Sequence, residues 1–260
     1  MRRFVFAGAG LLSIAGLVDA ASAADLPVPP PVPAYTKAPA PVAQAFSWTG
    51  CYVGVEGGGN WGRSEQIARS GAAAGASITG GFDLSGGIAG GTVGCNYQIS
   101  NFVIGVENDF SWTNKKGSAP DQLPFNTGAI STTSEKWIDT LRGRVGYSWD
   151  RYLLYVTGGG AWADTSVNVT RLVSVTDSQT RTGWVAGVGG EWAAWAGPWG
   201  VLTFKLEYLH ADFGTQQYIN PPVVNPGGTI ATRDVKLTDD MVRVGMNLKF
   251  NWGGPVVAKY

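Results

Sequence analysis

The chain has 260 residues with 19 basic and 19 acidic side chains, so its formal net charge at pH 7 is zero. A balanced charge argues against the strong positive field that attracts nucleic acid or anionic lipid. Thirty-eight glycines argue against long helices, and eleven tryptophans are too many for a disordered chain.

The first 23 residues are typical of a secretory signal peptide. Residues 1–3 (Met-Arg-Arg) form a positive start, an apolar run of fifteen residues follows, and residues 21–23 (Ala-Ser-Ala) supply small residues for cleavage. The apolar run is shorter than the roughly 20 residues that a spanning helix needs. We therefore expect an exported mature chain that begins near Ala24 and holds 17 basic and 18 acidic side chains.

A linker is predicted between this peptide and the folded domain. Seven of the 14 prolines fall in residues 27–41, as in an extended polyproline-type segment. The predicted organisation is a signal peptide, a proline-rich periplasmic linker, a folded domain and a short C-terminal extension. Their bounds are 1–23, 24–46, 47–252 and 253–260.

From Trp48 onward, apolar and polar residues alternate in eight segments. They cover residues 49–62, 85–98, 101–113, 135–149, 152–164, 182–195, 200–213 and 235–251. Alternation with a period of two indicates strands with one apolar face. The segments are longer than typical strands of soluble sheets and close to the length that a tilted crossing of a bilayer needs.

The connections between these segments alternate in length. Ser100, residues 150–151 and residues 196–199 are tight turns, whereas the other four connections are long and rich in Ser, Thr, Gly and Asn. The long connections are residues 63–84, 114–134, 165–181 and 214–234. Outer-membrane barrels have short periplasmic turns and longer external loops. The pattern predicts an all-β fold, an eight-stranded antiparallel up-and-down transmembrane β-barrel with four long extracellular loops.

Aromatic residues recur at the spacing that the two aromatic girdles of such a barrel require. In a strand tilted by about 40°, ten residues climb roughly 25 Å, the height of the apolar band. The pairs are Tyr52 and Trp61, Phe102 and Trp112, Trp137 and Tyr147, Tyr152 and Trp162, and Trp184 and Trp192. We interpret them as girdles; aromatic residues in the core of a soluble sandwich are the alternative.

The parity opposite to the apolar face carries charge. A strand at residues 141–149 separates Arg142 and Arg144 from its apolar residues, which a helix would not do. If the apolar parity faces lipid, the interior collects Glu56, Glu107, Asp109, Arg142, Arg144, Glu191, Lys205, Glu207, Arg243 and Lys249. Side chains fill the interior of an eight-stranded barrel, so we expect these five acids and five bases to form a buried network.

Six stretches carry a resemblance to a known family. They are ADLP (24–27), WTGCYVG (48–54), NYQISNFVIGVENDF (96–110), LRGRVGYSWDRYLLYVTGGGAW (141–162), KLEYL (205–209) and VRVGMNLKF (242–250). In this order the chain resembles the small outer-membrane immunogenic proteins, or opacity-type porin-like barrels, of alphaproteobacteria. The resemblance implies a surface antigen of the Gram-negative outer membrane that contacts lipids and the barrel-assembly machinery.

The same resemblance implies an assembly signal at the last aromatic residue of the barrel. Phe250 matches that position, but the chain continues through NWGGPVVAKY. Phe250, Trp252 and Tyr260 all stay open as the aromatic residue that the assembly machinery reads.

Cys51 and Cys95 are the only cysteines, and an even count in an exported protein suggests a disulfide. Both lie near the short-turn end of neighbouring predicted strands, with the same outward parity. A bridge requires the two Cα atoms to approach within about 7 Å. Two isolated thiols are the alternative.

Other candidate chemistry has simpler explanations. Gly57, Gly59 and Gly62 fit GxGxxG, but no helix pattern follows, so strand glycines explain them better. Glu107 and Asp109 share one strand face and are better explained by ion pairs than by a metal or catalytic site. The family resemblance suggests an interfacial position for His210, the sole histidine; a general-base role is the alternative. We expect no catalytic residues, metal or cofactor.

Three functional hypotheses follow. The first is a plugged barrel with a structural and surface-interaction role, in which the four long loops contact an extracellular ligand or host surface. The second is a porin-like narrow channel for small solutes, which needs a continuous water path. The third is a lipid-modifying enzyme that uses His210. We favour the first, with no nucleic-acid partner.

Overall fold

The computed structural model describes residues 46–125, 127–197, 199–225 and 228–250. The predicted signal peptide, nearly all of the predicted linker and the segment after Phe250 lie outside these residues. No helix in the described part is long and apolar enough to cross a membrane.

The described residues form β-strands joined by turns and loops. The strands are β1 Gly50–Ala68, β2 Ser77–Ile99, β3 Phe102–Thr113, β4 Lys116–Pro120, β5 Ile130–Trp149, β6 Tyr152–Thr170, β7 Ser174–Gly197, β8 Gly200–Tyr218, β9 Val223–Asn225, β10 Gly228–Ile230 and β11 Arg233–Lys249. All pairings are antiparallel.

Eight of these strands close into a ring. Its order is β1, β2, β3, β5, β6, β7, β8 and β11, and the first and last strands pair along their whole length, from Tyr52 opposite Lys249 to Ala68 opposite Arg233. β4 pairs with β2 and β5 above the end of β3, and β9 pairs with β10 as a separate hairpin. The predicted eight-stranded, up-and-down, antiparallel barrel is therefore confirmed.

One end of the barrel, the short-turn end, has tight connections. Ser100 and Asp150 adopt positive φ angles of 55° and 51° in two of these turns. Both are small polar residues, and Asp tolerates this left-handed conformation better than most residues. The third tight connection joins β7 to β8.

At the opposite end of the barrel, the long-strand end, the structure differs from the predicted loops. Strands extend well into each of the four segments predicted as long connections, and only residues 171–173 separate β6 from β7. The predicted loop at 165–181 is therefore wrong. Its Ser, Thr and Val residues pair across the hairpin from Thr165 opposite Gln179 to Thr170 opposite Ser174. Outside a membrane a strand needs no apolar outer face, and β-branched residues favour strands.

The barrel is apolar on its outer surface and filled inside. Exposed outer residues include Val55, Val106, Leu154, Leu206 and Val244. Along β6 every second residue points inward, and these positions mark successive layers. An apolar layer around Leu153 lies at the short-turn end, a second lies around Ala161 and Ala163, and a third around Val167 and Val169 lies at the long-strand end.

Trp48 closes the short-turn end. Its side chain is 1% exposed and packs with Val103, Leu153 and Val201. The backbone nitrogen of Trp48 donates to Gln98 Oε1 at 2.7 Å, and the indole Nε1 donates to the Asp150 carbonyl at 3.1 Å. The segment before β1 therefore folds into the barrel mouth instead of running past it.

Candidate functional site

A cluster of charged side chains crosses the barrel between its first two apolar layers. This charge belt contains nine of the ten predicted interior residues: Glu56, Glu107, Asp109, Arg142, Arg144, Glu191, Lys205, Glu207 and Arg243. Each is at most 6% exposed. Period-two alternation on six strands brings them together, because all occupy the inward parity of their strands.

Arg142 lies at the centre of the charge belt. Its Nη2 donates to Glu107 Oε1 at 2.7 Å and also to Asp109, and its Nη1 donates to Glu207 Oε1 at 2.8 Å. Charge-assisted hydrogen bonds of this kind are about twice as strong as neutral ones. Three carboxylates from two strands thus share one guanidinium.

Lys205 and Arg243 connect the remaining acids. Lys205 Nζ lies 3.2 Å from Glu56 Oε2 and 3.1 Å from Glu107 Oε1. Arg243 donates to Glu56 and, at 2.5 Å, to Glu207 Oε2. Because each base contacts more than one acid, the charge belt is a single network and not a set of separate pairs.

Arg144 is held between two tyrosine rings. Its guanidinium carbon lies 4.8 Å from the Tyr52 ring centroid and 5.1 Å from that of Tyr155. The Tyr52 hydroxyl donates to Glu107 Oε2 at 2.5 Å, and the Tyr155 hydroxyl donates to Glu207 Oε1 at 3.1 Å. Both tyrosines therefore contact the cation and also donate to the charge belt.

Tyr52 corrects a predicted girdle position. It is 2% exposed and points into the barrel, whereas the girdle interpretation placed it on the lipid-facing surface. The physical reason is parity: Tyr52 lies four residues from Glu56 on β1, so both side chains point to the same face. Aromatic spacing alone therefore does not identify a girdle residue; the parity of the strand must agree with it.

Lys249 corrects the predicted network. It is 4% exposed inside the short-turn end, but its amino group donates to the Ser47 carbonyl and lies 4.6 Å from the Phe46 ring centroid. Within the described residues no carboxylate lies within 4.0 Å of it. The short segment before β1 occupies the position where a carboxylate partner was expected.

A second buried ionic cluster, the Lys115 cluster, was not predicted. Lys115 Nζ lies 2.8 Å from Glu135 Oε2 and also contacts Asp239, and all three side chains are fully buried. Lys115 lay in a predicted loop. Glu135 has the wrong parity relative to Arg142, because a register irregularity between Glu135 and Ile138 reverses it. Asp239 alone could have been found, since it shares the parity of Arg243.

The other nine predicted girdle residues lie on the outer surface. Trp61, Trp112, Trp137, Trp162 and Trp184 lie toward the long-strand end, and Phe102, Tyr147, Tyr152 and Trp192 lie toward the short-turn end. Neighbouring strands stack some of them, as with Tyr152 and Trp192, whose ring centroids are 6.5 Å apart. The two aromatic bands border the apolar part of the outer surface.

Cys51 and Cys95 form a disulfide. They lie directly opposite each other on β1 and β2, with their Cα atoms 3.9 Å apart. Both side chains have the outward parity predicted for them. The sequence left two isolated thiols as the alternative, and the structure resolves that choice in favour of the bridge.

A structural role explains the positions of the remaining candidate residues, which are His210 and the glycines of β1. His210 Nδ1 lies 2.9 Å from Asp240 Oδ1, and its ring centroid is 5.7 Å from that of Trp184 on the outer surface. Gly57, Gly59 and Gly62 lie within β1. Across the described chain, no group of three His, Cys, Asp or Glu residues could hold a metal ion.

Phe250 lies at the end of the last barrel strand. Its backbone nitrogen donates to the Cys51 carbonyl at 2.9 Å, and its side chain is 36% exposed. Trp252 and Tyr260, the alternative assembly signals, lie outside the described residues.

The strands form a closed ring with a charged interior. Its exterior is apolar and is bordered by two aromatic bands, which is the inverse of a soluble barrel. It defines a transmembrane β-barrel of the outer-membrane type. The model of the outer membrane protein beta-barrel domain family matches residues 33–254, and the chain belongs to this family.

Named relatives agree with this assignment. The chain is 33% identical over 251 residues to a 31 kDa outer-membrane immunogenic protein of Brucella melitensis, covering 92% of this chain and 98% of the relative. It is 29% identical over 252 residues to a 25 kDa outer-membrane immunogenic protein of Brucella abortus, covering 96% and 99%. The predicted resemblance and the outer-membrane location are confirmed.

Among solved structures, Neisserial surface protein A is similar at 11% identity with a TM-score of 0.40. The match covers 78% of this chain and 98% of that chain.

Proposed function

We propose that this outer-membrane barrel is a sealed scaffold that presents its long-strand end at the cell surface, and that it does not conduct solutes. The observation that carries the proposal is the charge belt, a single network of buried ion pairs that spans the barrel interior. Short turns of outer-membrane barrels face the periplasm, so the long-strand end faces outward.

Conduction requires a continuous path of water past the charge belt. Arg142 contacts carboxylates from β3 and from β8, which lie on different sides of the ring. These contacts therefore run across the interior. The apolar layers above and below the charge belt, together with Trp48 at the mouth, leave further buried side chains in any axial path.

The long-strand end carries exposed apolar side chains. Leu123, Leu172 and Val224 are 81%, 75% and 77% exposed on three different connections. Recognition residues concentrate on loops held by a rigid scaffold. These three positions support an interaction role for the extracellular end, which is the second half of the proposal.

Conductance in planar bilayers tests the sealed interior. We expect purified wild-type protein to give no stable unitary openings, with insertion verified by its heat-modifiable migration on gels. A Trp48→Ala variant controls for the mouth and should stay closed, because the charge belt remains intact. Reproducible wild-type openings that change in Arg142→Ala would establish the narrow-channel alternative and end the proposal.

Proteolysis of intact cells tests the orientation. Cleavage is expected only in connections of the long-strand end, such as residues 69–76 and 121–129. Cleavage at Asp150 on intact cells would invert the barrel and remove the surface role. Disrupted cells provide the control, because both ends are then accessible.

We infer that His210 is an interfacial residue and not a general base. Its contacts with Asp240 and Trp184 suit a position at the membrane boundary. His210→Ala should leave phospholipid and lipopolysaccharide turnover unchanged in cells. Loss of turnover in that variant would support a lipid-modifying enzyme instead.

A further inference from the structure

A cavity of about 250 Å³ lies at the long-strand end, above the third apolar layer. Its walls come from the β4–β5 connection and from residues near the ends of β2, β6, β10 and β11. The lining includes the apolar residues Ile78, Phe125, Val169 and Ile230 and the charged residues Asp121, Arg171 and Arg233. We name this space the rim pocket.

Arg233 is a buried residue in the wall of the rim pocket. It is 2% exposed, and its Nη1 donates to Gln66 Oε1 and to Ser131 Oγ, both at 2.7 Å. Its Nε is buried and has no hydrogen-bond partner among the described residues. The guanidinium is thus fixed by neutral groups while part of its donor capacity stays unused. A buried donor without a partner is costly, and a ligand that accepts from it recovers that cost.

Asp121 only partly neutralises Arg233. The nearest approach, from Nη2 to Asp121 Oδ2, is 3.9 Å, which is too long for a hydrogen bond. Asp121 Oδ1 instead accepts from Ser131 Oγ at 2.6 Å. Burial raises the pKa of the Asp121 carboxyl and lowers the pKa of the Arg233 guanidinium. Both directions agree with the 3.9 Å separation, which leaves neither charge well compensated by the other.

The charges favour an anionic ligand. Arg171 also lines the rim pocket, so its charged lining residues are two arginines and one aspartate. Phe125 and Ile230 form an apolar part of the lining, against which a hydrocarbon portion of the anion can pack.

We propose that the rim pocket binds a small organic acid, with its carboxylate at Arg233 and its short apolar chain against Phe125 and Ile230. The site lies far from the charge belt along the strands, so it does not depend on a sealed interior. Conductance results and binding results can therefore fail separately.

Methyl NMR with hexanoate tests the proposal. Protein in lipid nanodiscs is labelled at isoleucine methyl groups, and Ile78 and Ile230 report on the rim pocket. Ile104 is 46% exposed on the lipid-facing surface, so it reports hexanoate that merely enters the bilayer. Saturable shifts of Ile78 and Ile230 that do not follow the concentration dependence of Ile104 are expected.

Related probes separate the contributions of charge and chain. Acetate has the carboxylate without the chain, and hexanol has the chain without the charge. We expect each to bind at least about tenfold more weakly than hexanoate, since each loses one recognition element. Equal binding of hexanol and hexanoate would overturn the assignment of Arg233 as an anion ligand.

Two substitutions in the pocket are predicted to act in opposite directions. Arg233→Gln should weaken hexanoate binding about tenfold or more, whereas the matched control Arg151→Gln at the short-turn end should leave it unchanged. Asp121→Asn removes the competing carboxylate and should strengthen binding. A gain of affinity in Asp121→Asn cannot arise from misfolding and would support the proposal even if Arg233→Gln destabilised the protein. Unchanged or weaker binding in an Asp121→Asn variant that keeps the wild-type methyl spectrum would overturn it.

Discussion

Tyr52 occupies the space that a side chain at Gly94, its cross-strand partner, would need. A Cβ atom built at Gly94 would lie 2.2 Å from the Tyr52 hydroxyl and 2.8 Å from the Val106 carbonyl oxygen. Tyr155 stands in the same relation to Gly189, where a Cβ would lie 2.5 Å from the ring. Glycines on two strands thus make room for the rings that hold Arg144.

Gly94→Ala tests this arrangement. The added methyl group would displace the Tyr52 ring from Arg144, and the contact with backbone at Val106 cannot be relieved by ring movement alone. Overpacking of this kind costs about 1–3 kcal/mol. Urea unfolding in lipid vesicles, followed by tryptophan fluorescence, measures the change.

Gly91→Ala is the matched control for that substitution. Gly91 lies on the same strand with outward parity, and a Cβ there would meet its nearest atom at 3.5 Å, an ordinary contact. We expect its unfolding free energy to stay close to that of the wild type. Equal losses of unfolding free energy in Gly94→Ala and Gly91→Ala would mean that crowding against the Tyr52 ring does not affect stability.

The alternation of residues was enough to predict the barrel, because lipid outside and charge inside act on every strand with the same period. The interior belt followed from the same rule, since each of its nine members keeps the parity of its strand. Aromatic spacing predicts an outward Tyr52, whereas the parity that it shares with Glu56 predicts the inward position that the structure shows.

Other features could not be predicted from alternation. The register irregularity after Glu135 reverses the inward and outward positions along β5, and no residue type in that stretch predicts it. The paired strands above the membrane have polar residues on both faces, so they have the composition of loops. Lys115 lies between β3 and β4, and Arg233 begins β11, both in segments predicted as loops. Alternation therefore predicted neither the Lys115 cluster nor the rim pocket.

Arg142→Ala should destabilise the barrel strongly. The change leaves Glu107, Asp109 and Glu207 without their shared guanidinium in a buried setting. Removing one partner of a buried ionic group costs about 3–5 kcal/mol. The unfolding free energy in lipid vesicles measures the loss.

The control for Arg142→Ala is Lys136→Ala. Lys136 lies 3.9 Å from Asp164, its side chain is 68% exposed, and such surface pairs contribute about 0–1 kcal/mol. A loss from Arg142→Ala no larger than that of the control would show that water compensates the belt carboxylates. That result would also weaken the case for a sealed interior.

The disulfide between Cys51 and Cys95 should stabilise the folded protein because it restricts the conformations of the unfolded chain. It links residues 44 apart in sequence, and a loop of this length is expected to stabilise by about 2–4 kcal/mol. The double variant Cys51→Ser with Cys95→Ser should lose this amount. Reduced wild-type protein should match the variant, and a thiol titration of denatured, unreduced wild-type protein should find no free thiol.

For the Lys115 cluster we predict that removing one of its carboxylates restores part of the stability lost when Lys115 is replaced. Lys115→Met leaves Glu135 and Asp239 as two buried carboxylates with no cation between them, and should cost about 3–5 kcal/mol in a urea unfolding measurement. Adding Glu135→Gln removes one of the two opposed charges and should recover part of the loss, although it restores no contact. Lys116→Met, at the exposed neighbouring position, should change the unfolding free energy by less than about 1 kcal/mol. If Glu135→Gln and Lys115→Met instead added independently, the cluster would be held by packing and not by its charges.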